Sequence, residues 1–72
     1  MTPAEKLRRL KAAYDGPNCQ PVIDAFNGDE AAQDKFEWCA TFLMEAKTNP
    51  TGYADLIDRI YDRTLTYTLL GN

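Results

Sequence analysis

The sequence predicts an all-α fold, a compact bundle of about four helices at residues 3–14, 20–27, 30–47 and 52–69. Three observations carry that expectation. Apolar side chains recur at three- and four-residue intervals, the spacing of one helical face. Start and stop residues flank the periodic stretches in the order a helix requires. The stretch that alternates with period two, Thr64 to Leu69, has no second strand candidate to pair with.

In the first element, Thr2-Pro3-Ala4-Glu5 reads as a capping box with proline in the first turn. The helix buries Leu7, Leu10 and Tyr14 with help from Ala13. It stops at Asp15-Gly16-Pro17-Asn18, where Gly16 suits a left-handed cap and Pro17 cannot continue. The second helix is short. Pro21 belongs in its first turn, Val22, Ile23 and Phe26 face the core, and Asn27-Gly28 closes it. Asp29 or Gly28 caps the third, with Glu30 near the positive end of its dipole. Thr48-Asn49-Pro50-Thr51-Gly52 is a turn in which Asn49 or Thr51 caps the fourth helix. That helix carries Tyr53, Leu56, Ile57, Ile60, Thr64 and Tyr67 on one face. Helix to about Leu69, ended by Gly71, is preferred over residues 64–70 to a strand pairing with another chain, because a lone strand leaves backbone groups unsatisfied.

The third helix carries the most apolar surface. At about 100° per residue, Ala32, Phe36, Cys39, Leu43 and Ala46 form one stripe. Ala40 and Met44 widen it on one side, and Phe42 and Trp38 on the other. The arc reaches roughly 200–240°, against the ~100–140° of an ordinary surface helix. This helix is therefore expected at the centre of the bundle or shared with a partner. Trp38 and Phe42 either close the far side of the core or form an aromatic contact patch, and tryptophan is enriched at binding hot spots.

Seventy-two residues read as one domain, 1–72, near the lower limit for a self-sufficient core. Such a chain buries only ~60% of its unfolded surface, and its core supplies ~3–5 kcal/mol. Disulfides are not expected to add to this. Cys19 and Cys39 occupy apolar positions, and the N-terminus is amphipathic without the apolar run of a leader. Both read as reduced core thiols of a cytoplasmic protein in a bacterial host cell. Two cysteines without histidine cannot supply the four ligands of a structural zinc, and no cofactor is expected. Oligomerisation is the remaining device, so a homodimer is one expected arrangement. No apolar run reaches the ~18 residues of a membrane span.

Net charge is −3, unevenly divided. Residues 1–14 carry Lys6, Arg8, Arg9 and Lys11 against Glu5, while residues 15–72 carry four bases against ten acids. Arg8 and Arg9 are candidate contacts for phosphates or an acidic protein. Asp55, Asp58 and Asp62 line one side of the fourth helix with Arg59 and Arg63 interleaved. With Asp34 and Glu37 they are the candidate contacts for a basic partner. Pairs Asp55–Arg59 and Arg59–Asp62 are the simpler role for the acids of that ridge. The second and third helices suggest a helix-turn-helix, but Asp29-Glu30-Ala31-Ala32-Gln33-Asp34 would repel a DNA backbone where a recognition helix needs cations or amides. Direct nucleic-acid binding is disfavoured. Catalysis is not expected either, because histidine is absent and Cys39 has no base to activate it.

A small, acidic, histidine-free helical chain of this kind resembles the small inhibitors encoded by bacteriophages and mobile elements, among them anti-CRISPR and other anti-defence proteins. The resemblance lies in size and composition and covers no particular residues. It implies a non-catalytic protein that binds a host protein complex and blocks it, with the acids of the third and fourth helices set against a basic nucleic-acid-binding groove. A homodimeric regulatory or structural module, and a nucleic-acid binder acting through Arg8 and Arg9, are the alternatives.

Overall fold

Among the residues described by the computed structural model, 1–70 with side chains as far as Thr68, the chain forms five helices. They are α1 (Pro3–Asp15), α2 (Gln20–Asn27), α3 (Glu30–Lys35), α4 (Cys39–Thr48) and α5 (Ala54–Leu70). The fold is all-α, as the periodicity predicts, and no described residue is in a strand. The period-two stretch continues α5, where Thr64 and Thr66 each return their hydroxyl to the carbonyl four residues back. The expected stop at Gly71 lies outside the described residues.

α1 begins where Thr2 Oγ1 accepts the Glu5 N–H at 3.2 Å, the forward half of the capping box. Its end departs from expectation. Gly16 is extended (φ −94°, ψ −176°), not left-handed. Gly16 precedes Pro17, whose ring clashes with a helical neighbour and drives it to extended backbone. α3 is capped by Asp29, which accepts the Ala32 N–H at 3.0 Å. At the start of α5, Asn49 Oδ1 accepts the Gly52 N–H at 3.1 Å, and a side chain at Gly52 would run into that of Asn49.

The expected continuous helix over residues 30–47 is two helices. Phe36 (φ −135°, ψ 132°) and Trp38 (φ −133°, ψ 150°) are extended, and the chain turns between α3 and α4. The reason is in the packing. Phe36 meets Phe42 edge-on at 5.5 Å between ring centroids and Tyr53 at the same distance. On an unbroken helix, residues six apart lie about 9 Å apart along the axis and roughly 120° apart around it, so those rings could not touch. Breaking the helix costs a few backbone hydrogen bonds at its ends and admits both phenylalanines to one core. Phe42 then stacks on Phe26 of α2 at 6.0 Å.

The break also moves the centre of the bundle. The segment 30–47 was expected there, but α2 packs against each of the other four helices, most extensively against α5. Its Val22, Ala25 and Phe26 are buried almost completely. Around them close Leu7, Leu10, Leu43, Leu56, Ile57 and Ile60. The radius of gyration, 10.9 Å, matches the ~11 Å of a compact chain this long, so one copy closes its own core. α3 and α4 each aim their own face inward, which takes Ala32, Phe36, Cys39, Phe42, Leu43 and Ala46 of the expected arc into the core and leaves Trp38 and Met44 of it exposed. Tyr67, expected on the core face, is exposed beyond the end of α2, its hydroxyl near Gly28.

Phe36 and Trp38 should therefore behave oppositely. Phe36→Ala removes two ring contacts and opens a cavity, a loss of about 3–5 kcal/mol that approaches the stability of a domain this size. Trp38→Ala should change stability by no more than about 0.5 kcal/mol. Urea unfolding followed by circular dichroism measures both. Equal losses would contradict the break.

Candidate protein-binding surface

The residues expected to face a partner divide sharply. Phe42 is fully buried and cannot reach one. Trp38, at the N-cap of α4, is 65% exposed, and Met44, two turns along α4, is 68% exposed. Trp38 makes no side-chain capping bond. The core cluster includes neither of these two large side chains.

The candidate acids do not gather at one point. Asp34 lies in the last turn of α3 and Glu37 sits in the break, both exposed. Asp55 and Asp62 are exposed on the outer crest of α5. Asp58 is already engaged: Lys6 Nζ of α1 lies 2.9 Å from its carboxylate and 5.5 Å from the Tyr61 ring centroid. The Asp58 hydrogen bond raises the Lys6 pKa above its ordinary value. The expected pairing of Arg59 within α5 does not form. Arg59 instead crosses to Asp29, with Nε at 3.0 Å and Nη2 at 3.4 Å from its two oxygens. Sequence reasoning placed Asp29 as a cap but missed this ion pair, since nothing local links residues 30 positions apart.

Arg8 and Arg9 are exposed on α1 and have no ion-pair partner among the described residues. Together they line a shallow depression of about 440 Å³ on the outer face of that helix. Arg8 also borders a second, more apolar concavity of about 340 Å³ between α1 and α4. Leu7 and Leu43 form its floor, and Ala4, Met44 and Pro50 its walls. Arg8, Lys11 and Lys47 stand on its rim, and no described lining residue is acidic. This is where apolar surface and unbalanced charge coincide.

The two thiols differ in exposure. Cys39 is buried, and desolvation pushes its pKa up to about 11, so it carries almost no thiolate at neutral pH. Cys19 stands half-buried at the N-cap of α2. Among the described residues no group of three Cys, Asp or Glu side chains could hold a metal ion, and no helix is long and apolar enough to cross a membrane.

Asp29 gives the fold a defined pH response. Its carboxylate is 5% exposed, and the Arg59 hydrogen bond, followed by the Ala32 N–H, holds its pKa below the ordinary 3.8 despite burial. The folded carboxyl thus titrates below the unfolded one. Its stabilisation is complete above the unfolded value and is lost as pH falls through the folded value. Stability should decline below about pH 4, and Asp29→Asn should flatten that part of the profile while keeping the cap. Asp29→Ala, which removes cap and pair together, should cost about 1–3 kcal/mol at neutral pH. Thermal melts from pH 2.5 to 7 check both, and an unchanged acid limb in Asp29→Asn would exclude this role.

Comparison with protein-family models, with curated proteins and with solved structures gave no match.

Proposed function

We propose that this chain is a small non-catalytic protein-binding module that acts by covering part of a larger protein. Such blocking is the action expected of the phage and mobile-element inhibitors it resembles in size and composition. The observation that carries the reading is the exposure of Trp38 and Met44 on α4 beside a core that closes without them. Exposed apolar area forgoes about 25 cal/mol per Å² of burial, which a domain with little stability to spare retains at a cost. Tryptophan is among the residues most enriched at binding hot spots, and methionine adapts its shape to a partner.

Charge supports the same reading. Asp34, Glu37, Asp55 and Asp62 are exposed without an ion pair among the described residues. They would attract a basic surface, such as the nucleic-acid-binding groove of a host complex, over the ~8–10 Å that screening allows. The raised Cys39 pKa and the lack of histidine are in keeping with a role that needs no acid–base or nucleophilic chemistry.

Affinity capture from a bacterial lysate tests this, comparing the native chain with a Trp38→Ser/Met44→Ser double variant of matched thermal stability. At least one protein should be retained by the native chain and weakened about tenfold or more by the double change. Reversing the four free acids should slow association at low salt and have less effect at high salt. A retained set indifferent to the double variant would overturn the reading. So would binding of duplex DNA at physiological salt that Arg8→Glu/Arg9→Glu abolishes, which would make the chain a nucleic-acid binder.

A further inference from the structure

The groove between α1 and α4 has a charge opposite to that of the chain around it. The protein carries a net charge of −3, with eleven acids against eight bases. Yet Arg8, Lys11 and Lys47 stand on the rim of this groove, and none of its described lining residues is a carboxylate. Lys11 reaches Asp15 one turn along α1, an exposed pair of little net worth that leaves the ammonium free to reorient. Arg8 and Lys47 have no ion-pair partner among the described residues. Beneath them Leu7 and Leu43 form an apolar floor, and the exposed Met44 forms one wall.

We infer that this groove receives a segment of another protein folded as an acidic amphipathic helix, with its apolar face on Leu7, Leu43 and Met44 and flanking carboxylates on Arg8, Lys11 and Lys47. The inference rests on reading the chain as a protein-binding module, and it specifies one surface and one partner chemistry. Charge complementarity selects the occupant. A basic segment would meet three cations, of which only Lys11 has an acid, Asp15, beside it. A nucleic acid would satisfy the cations but leave the apolar floor facing phosphates, and the described lining residues include no aromatic ring on which a base could stack. A helix with apolar residues at three- and four-residue spacing and acids beside them satisfies floor and rim together. At about 340 Å³ the groove has room for one or two large side chains, the anchors of such a helix. The flexible thioether of Met44 can fit anchors of more than one shape.

Titration of the full chain with designed peptides, followed by amide chemical shifts, tests the assignment. The probe is a helix-forming peptide of about fourteen residues with leucines at helical spacing flanked by glutamates. Controls are its lysine-for-glutamate twin, a serine-for-leucine version, duplex and single-stranded oligonucleotides, and vesicles containing phosphatidylserine. The acidic amphipathic peptide should bind, with shifts centred on α1 and α4, and should bind less tightly as salt rises. Lys11→Glu/Lys47→Glu should weaken it about tenfold. Ala4→Phe, at an exposed position whose new ring would cover the Leu7–Leu43 floor from outside, should abolish it without lowering the thermal melt.

Binding of the lysine twin as strongly as the acidic peptide would overturn the inference. So would acidic-peptide binding unaffected by Ala4→Phe, or preferential binding of oligonucleotides or vesicles. Self-association of the chain that Ala4→Phe removes would also overturn it, since the occupant would then be a second copy. If the peptide fails while capture of a partner still depends on Trp38, the groove assignment falls and the protein-binding reading stands. If the peptide binds in the groove while capture ignores Trp38, the groove stands and the role given to Trp38 falls.

Discussion

The contact between Phe36 and Phe42 governs the architecture. Two rings six residues apart in sequence meet at 5.5 Å, which a continuous helix does not allow. The chain therefore gives up helical backbone at Phe36 and Trp38 and gains a run of rings through Phe26, Phe42, Phe36 and Tyr53. Each such pair is worth about 0.5–1.5 kcal/mol beyond its area, a large share of what a chain this small can accumulate. The same turn that brings Phe36 inward leaves Trp38 outside. Core formation and the candidate contact surface are thus two results of one backbone break.

Polar clamps fix the helices around those rings. Asp29 caps α3 and holds Arg59 of α5, so one buried carboxylate joins a helix start to a distant helix. Lys6 joins α1 to α5 through Asp58 and the face of Tyr61. Both clamps draw on the charges of α5 and change what its ridge presents: Arg59 and Asp58 are engaged, while Asp55 and Asp62 remain on the crest. On the opposite side of α1 the cations have no such partners among the described residues except Lys11, and the apolar groove lies beneath them.

Much of the helical content was legible in the sequence, because its signals are local. Thr2, Asp29 and Asn49 mark starts and turns through their side-chain oxygens, and α1, α2 and α5 follow the apolar spacing. The break was not legible. Lys35-Phe36-Glu37-Trp38 contains no glycine or proline, and its residues are tolerated in helices, so only the tertiary demand for Phe36 stops the helix. The unusually wide apolar arc was the visible trace of that demand: the bend turns most of it inward and leaves Trp38 and Met44 outside. Trp38 and Phe42 looked equivalent because both flank the stripe; the bend separates them. The groove was hidden for a different reason. It joins Arg8 and Lys11 to Met44 and Lys47 across two helices, and no linear pattern brings those residues together.

The break at residues 36–38 makes a core that one copy can close and a surface that it leaves uncovered. Nuclear Overhauser contacts between the Phe36 and Phe42 rings, with backbone carbon shifts through residues 35–39, test it most directly. Strong ring-to-ring contacts and non-helical shifts at Phe36 and Trp38 are the expected result. Uninterrupted helical shifts from Glu30 to Thr48, with no contact between the two rings, would contradict it.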